Sequence, residues 1–208
     1  MNPEKGRRSE ENMKTTPLIC AALSILITRA ADRFNVVVCN MGNISATDIS
    51  HAEADVAYVF QSIGLEIDWT DCGDLSHTTG SSHRFILRVR PHGTGASGGL
   101  IETMGMAYVT ADAPHVYADV YMDGVQRFAE SWNAPPKDVL GYAMAHELGH
   151  LLLGPRHAPT GLMSAQWTAS DLYAMQHRAL KFTVAERVSI RRELHGKAPG
   201  AALAKRSK

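Results

Sequence analysis

Two histidines and one glutamate share a short apolar segment of this 208-residue chain. They occur as His146-Glu147-Leu148-Gly149-His150, which is an H-E-x-x-H pattern. Residues four apart on a helix project from one face with Cβ atoms about 5–6 Å apart, so both imidazoles can reach one Zn²⁺ at about 2.0–2.1 Å. Glu147 directly follows His146 on the helix. In this position a carboxylate can act on a water molecule beside the metal. The pattern predicts two metal ligands, His146 and His150, and a catalytic general base, Glu147.

A catalytic zinc site needs a third protein ligand and an open fourth position. His157 is the expected third ligand, because Gly154 permits a sharp turn that brings the following chain back toward the metal. A second arrangement, of the gluzincin type, stays open. In that arrangement Glu186 or Glu193 from a later helix replaces His157. Either ligand set predicts one Zn²⁺ per chain as the cofactor.

The segment over 146–163 resembles the metzincin metalloproteases, whose zinc helix carries H-E-x-x-H-x-x-G-x-x-H before a methionine turn. This chain has the variant H-E-x-x-H-x-x-x-G-x-x-H, and Thr160-Gly161-Leu162-Met163 resembles the methionine turn. It is also similar to exported bacterial proteins with a HELGHLLLG helix. The resemblance implies that Met163 forms an apolar floor under the metal. One additional helical residue adds about 100° of rotation, so the chain must leave the helix in a new direction if His157 is to bind.

The residues after Met163 also depart from the metzincin pattern. Some metzincins place a tyrosine near the metal there, whereas this chain has Ser164, Ala165 and Gln166. Another group is therefore expected to stabilise charge in the transition state. Arg156 and a backbone amide are the two candidates.

Hydrophobic spacing predicts the elements that position these residues. Periods of three and four residues indicate helices, and alternating or β-branched runs indicate strands. The expected strands cover 34–39, 65–70, 84–89, 106–110 and 116–121, the last two joined around Ala113-Pro114, and the expected helices cover 45–63, 125–132, 136–153, 170–180 and 184–194. This order is typical of an α+β domain. The metzincin resemblance further implies a mixed, twisted sheet with an N-terminal helix, the zinc-binding helix, the methionine turn and C-terminal helices.

The beginning of the chain has the features of a secretory signal peptide. An apolar run over 18–28 follows Lys14 and ends before the small residue Ala30. The run is much shorter than the roughly 20 residues that a membrane-spanning helix needs. Residues 1–30 are therefore predicted to be an N-terminal extension and a signal peptide starting at Met13. The mature protein would be secreted or periplasmic and would have no membrane span.

Composition limits the partners of the remaining chain. We expect residues 31–195 to form a single metzincin-like catalytic domain and 196–208 a basic polar tail. The 21 basic and 21 acidic residues balance, and without a basic excess no nucleic-acid partner is expected. Cys39 and Cys72 each end a predicted strand, and the spacing leaves open whether they form a disulfide or remain buried thiols.

These features predict an exported metallopeptidase that hydrolyses peptide bonds with a zinc-activated water and Glu147 as general base. Its partner would be a peptide or protein substrate. A non-catalytic exported binding module stabilised by zinc is one alternative, and its site would close all four metal positions with protein ligands. The other is a zinc hydrolase that acts on a non-peptide amide through the gluzincin-like ligand set.

Overall fold

The strand-forming runs of the sequence pair into one sheet whose apolar face covers the helix of the H-E-x-x-H pattern. The computed structural model describes residues 32–73, 84–93, 103–109 and 117–196, which belong to one compact unit, Ala31–Lys208. The predicted signal peptide, the turn at Ala113-Pro114 and the tail beyond Gly196 lie outside the described residues.

Five strands and five helices make up the described part of the chain. The strands are β1 (Asp32–Asn40), β2 (Leu65–Asp71), β3 (Arg84–Arg90), β4 (Gly105–Ala107) and β5 (Tyr117–Tyr121). The helices are α1 (Ala46–Gln61), α2 (Met122–Ser131), α3 (Lys137–Leu153), α4 (Ala169–Gln176) and α5 (Val184–Gly196). Each predicted element corresponds to one of these. Among the described residues, no helix is long and apolar enough to cross a membrane.

The strand order is β2-β1-β3-β5-β4. Neighbours from β2 to β5 are parallel, and β4 alone runs antiparallel, beside β5. The sheet is therefore mixed, and the predicted α+β class is confirmed. The antiparallel β4 lies at one end of this order, so it contributes an edge strand.

Two predicted elements extend three or more residues beyond the observed C-terminal ends. The strand expected over 106–110 is only the three residues of β4. The helix expected over 170–180 ends at Gln176, because Arg178 takes a left-handed φ of 53° and cannot continue it. Beyond this turn Leu180 is buried in the core. The apolar Leu180 is therefore buried by the segment that follows α4 and not by a continuation of the helix.

α3 lies at the centre of the core, against the sheet on one side and α1 on the other. Nearly every residue of the helix is buried, which explains why its sequence is apolar all round. Gly141 allows the close approach of α1, since a Cβ there would lie 2.7 Å from the Cβ of Asp55 and 2.9 Å from the carbonyl oxygen of Ala52. The helix that carries the pattern is thus held between the sheet and α1.

A disulfide joins Cys39, in β1, to Cys72, just after β2. Their Cα atoms are 4.8 Å apart, within the range that a disulfide spans. Strand pairing brings the two cysteines together, because the amide of Cys72 donates to the carbonyl of Val38 at 3.0 Å. The alternative of two free thiols does not hold in this structure.

Candidate metal centre

α3 presents His146 and His150 one turn apart on the face that borders a cleft. Their Nε2 atoms are 3.0 Å apart, and Nε2 of His150 is 3.2 Å from Nε2 of His157. The three imidazoles offer ligand atoms that all lie within 4.8 Å of one another. The structure therefore brings together the three histidines of the metzincin-like ligand set.

His157 reaches the other two histidines because α3 ends at Gly154. This glycine has a φ of 87°, a left-handed conformation that other residues rarely adopt. The chain beyond is fixed by the Ala158 amide, which donates to the carbonyl of Met163 at 2.8 Å. The additional residue before Gly154 therefore leaves His157 beside the ligand face of α3.

The hydrogen bonds of the histidines fit a metal. Nδ1 of His146 lies 2.7 Å from the carbonyl oxygen of Leu162, and Nδ1 of His150 lies 2.9 Å from that of Gly154. A carbonyl can only accept, so each Nδ1 carries the proton and each Nε2 turns a lone pair toward its neighbours. Burial lowers the pKa of His146 to about 4 and keeps the ring neutral. Neutral, converging imidazole nitrogens are a donor set that suits Zn²⁺.

The group capable of holding a metal within the described part of the chain contains neither Glu186 nor Glu193. Glu186 instead accepts a hydrogen bond from the amide of Thr183 at 2.6 Å and caps α5. This geometry favours His157 over the gluzincin-like set.

Glu147 lies beside the histidines and is almost completely buried. Its Oε2 has no hydrogen-bond partner among the described residues, while the carboxylate accepts a hydrogen bond from the backbone of Ala107. Burial and, to a smaller extent, the nearby charge of Asp119 raise its pKa to about 8, against the lowering effect of the hydrogen bond from the Ala107 amide. A buried carboxyl with one unpartnered oxygen is a suitable proton acceptor for a reaction in the cleft.

Met163 is buried and packs against α3 at Gly149, the residue before His150. A Cβ at Gly149 would overlap its sulfur atom, and Phe182 closes the same contact. The turn that carries Met163 is tied down where the amide of Leu162 donates to the carbonyl of Lys181 at 3.1 Å. The side chain thus lies where an apolar floor is expected, although its effect on the metal geometry stays a prediction.

The cleft has a volume of about 450 Å³ and is bordered by β4 on one side and by the segment after Met163 on the other. Gly105, in β4, leaves room for Glu147, since a Cβ there would lie 2.5 Å from Oε1. Gln166 lines the cleft, whereas the exposed Arg156 does not. A backbone amide therefore remains the open candidate for the transition-state donor.

Sequence reasoning missed Gly105, Ala107 and Trp167 as members of the site. A glycine in a strand often marks the close approach of another group, which is a signal for Gly105. Nothing local distinguishes Ala107, because its contribution is a backbone amide. Trp167 follows a turn, and its separation from His146 along the chain does not correspond to the repeat of a helix or a strand. Local periodicity therefore gives no sign of their contact.

A cluster of charged and polar side chains around the buried Asp119 supports β4. Asp119, in β5, is fully buried and receives a bidentate pair of hydrogen bonds from Arg88. Arg90 and the hydroxyl of Tyr108 also donate to its Oδ2, both at 3.1 Å. Because Tyr108 directly follows β4, this cluster fixes the strand that contacts Glu147.

No family model and no curated protein sequence matches this chain. Solved structures do. The structure of archaemetzincin from Methanopyrus kandleri is similar to this chain, with a TM-score of 0.51 and 15% sequence identity. The alignment covers 82% of this chain and 99% of the archaemetzincin chain. The chain has a metzincin-like fold. Metalloproteinase-II from Bacteroides fragilis aligns over 79% of this chain and 53% of its own length, with 14% identity and a TM-score of 0.48.

Proposed function

We propose that this protein is a zinc-dependent peptidase. The observation that carries the proposal is the convergence of three histidine imidazoles in a cleft that is also lined by Glu147, whose carboxylate has one unpartnered oxygen. The metzincin-like fold supports it independently of these side chains. The metal-capable group in the described residues has three members rather than four, as a catalytic site with one open position requires.

His146, His150 and His157 would hold the metal. When bound, zinc supplies a Lewis acid that polarises a carbonyl and lowers the pKa of a water molecule to near 7. Glu147 takes the proton of the attacking water on its unpartnered oxygen and passes it to the leaving amine. The amide of Ala107 holds the carboxylate in place during both transfers.

The shape of the cleft suits an extended peptide. Its rim at β4 ends the strand order of the described sheet, and an edge strand can pair with the backbone of an added strand. The lining contains apolar and neutral side chains around the histidines and Glu147. We infer a peptide or protein substrate whose backbone lies along β4.

We further propose that the protein is exported. The disulfide between Cys39 and Cys72 supports this, because such bonds persist in oxidising compartments and are rare in the cytosol. Mass spectrometry of the product secreted by a bacterial host should give an N-terminus near Ala30. A full-length product that stays in the cytosol would contradict export and leave the site chemistry untouched.

The decisive experiment compares wild type with Glu147→Gln on a mixed peptide library at matched zinc occupancy. General-base catalysis is typically worth about 10²–10⁴-fold, so hydrolysis should fall by that factor while zinc and fold are retained. Glu186→Gln is the control, since it alters a glutamate outside the metal group. Equal cleavage by wild type and Glu147→Gln would refute the enzyme assignment. Cleavage of non-peptide amides alone would assign the other hydrolase class.

A further inference from the structure

We propose that Trp167 is a positioning residue of the metal centre, acting through the carbonyl group that orients His146. The inference rests on the proposed zinc site and adds a residue outside the H-E-x-x-H pattern and the methionine turn. It also accounts for a buried indole that borders the cleft.

The carbonyl of Leu162 accepts two hydrogen bonds. Nδ1 of His146 donates to it at 2.7 Å, and Nε1 of Trp167 donates to it at 3.1 Å. A carbonyl oxygen has two lone pairs, so both donors can be satisfied at once. The indole therefore fixes the direction of the oxygen that selects the tautomer and the tilt of the first ligand.

The indole also touches His146 directly. The two rings are nearly perpendicular, at 88°, with centroids 5.5 Å apart. This edge contact restricts rotation of the imidazole about its own axis. One side chain thus constrains His146 at two points, through Leu162 and through the ring face.

Trp167 is itself held firmly enough to serve this purpose. It is 8% exposed, and Phe128 of α2 packs edge-on against it at a centroid distance of 6.1 Å. The next residue, Thr168, begins α4 with a capping box to Asp171, which fixes the backbone at this point. The indole cannot turn away without breaking its contacts with Phe128 of α2 and His146 of α3.

Loss of partners that orient metal-binding histidines typically costs about 10–100-fold in metal affinity. Trp167→Phe keeps an aromatic ring and removes the indole N–H. We expect its zinc dissociation constant, measured by competition with a chromogenic chelator, to rise by about that factor over wild type. Circular dichroism of the metal-free protein should be unchanged.

Trp132→Phe is the matched control, because it removes the N–H of an indole that is 46% exposed and does not line the cleft. It should bind zinc as tightly as wild type. Equal affinities of wild type and Trp167→Phe, or equal weakening by Trp167→Phe and Trp132→Phe, would overturn the positioning role. A wild-type protein that binds no zinc would instead overturn the proposed function.

A second measurement avoids the risk that Trp167→Phe does not fold. In a Trp69→Phe/Trp132→Phe variant, Trp167 is the only indole of the three in the chain. Its fluorescence should change on addition of zinc with the same dissociation constant that the chelator gives. If the emission of Trp167 stays constant while the chelator reports zinc binding, the proposed link between Trp167 and the metal centre is contradicted.

Discussion

At the scale of single residues, the site combines ligands that the sequence predicts with supports that it does not. His146 and His150 follow from helical geometry alone, since both lie on one face of α3. Trp167 depends on a contact across the fold, between the segment after Met163 and α3. Local spacing contains no information about such a contact, and for this reason sequence analysis missed the residue.

The ligand role of His157 is the first prediction at this scale. His157→Ala should raise the zinc dissociation constant by roughly the same factor as His150→Ala, because each change removes one of three converging nitrogens. The chelator competition assay measures both. Glu186→Ala should leave zinc binding unchanged and cost about 1 kcal/mol of stability through loss of the α5 cap. A stronger effect of Glu186→Ala than of His157→Ala would move the third ligand to the gluzincin-like position.

At the scale of elements, the approach of β4 to α3 decides the environment of Glu147, the proposed general base. Periodicity located the helices and strands, yet it overestimated the length of β4, because a three-residue strand is too short to show a repeat. What holds this strand is non-local: its pairing with β5 and the bond from Tyr108 to the buried Asp119. Such pairings depend on tertiary contacts that no single segment specifies.

Gly105→Ala tests the importance of this approach. The added Cβ would lie 2.5 Å from Oε1 of Glu147, so the carboxylate must shift within its pocket. We expect peptide hydrolysis to fall at least about tenfold, because displacement of a catalytic group by about 1 Å can cost up to about 10²-fold. Zinc affinity and the melting temperature should change little. Gly73→Ala is the matched control, with nothing within 4 Å of its Cβ. Unchanged hydrolysis by Gly105→Ala would show that Glu147 does not depend on β4.

At the scale of the whole molecule, one mixed sheet packs over a buried helix. A disulfide links two strands, β1 and β2, at the end of the sheet that is opposite β4. Sequence spacing left this bond open because separation along the chain, here 33 residues, does not determine Cα distance. Parallel pairing of β1 and β2 determines it instead.

Reduction of the disulfide should lower the free energy of unfolding. The chain-entropy relation for a loop of this length predicts a loss of about 3–4 kcal/mol. Urea denaturation with and without dithiothreitol measures it. The Cys39→Ala/Cys72→Ala variant should show the lower stability in both conditions and no response to the reductant. Identical urea curves for oxidised and reduced wild type would contradict a stabilising bond. Zinc affinity should stay constant throughout, because the bond lies at the other end of the sheet.

Burial of nearly every residue of α3 has a consequence for the order in which the protein folds and binds its metal. The amide hydrogens of this helix are shielded by the sheet and by α1, so they should exchange with solvent only when the whole domain opens. The ligand-bearing scaffold would then form before any ion arrives, unlike a zinc finger, which is unfolded without its metal. Uptake of the proposed zinc ion would then be a late event at the mouth of the cleft, and under the proposed export the chain could fold first and acquire its metal wherever the ion is available.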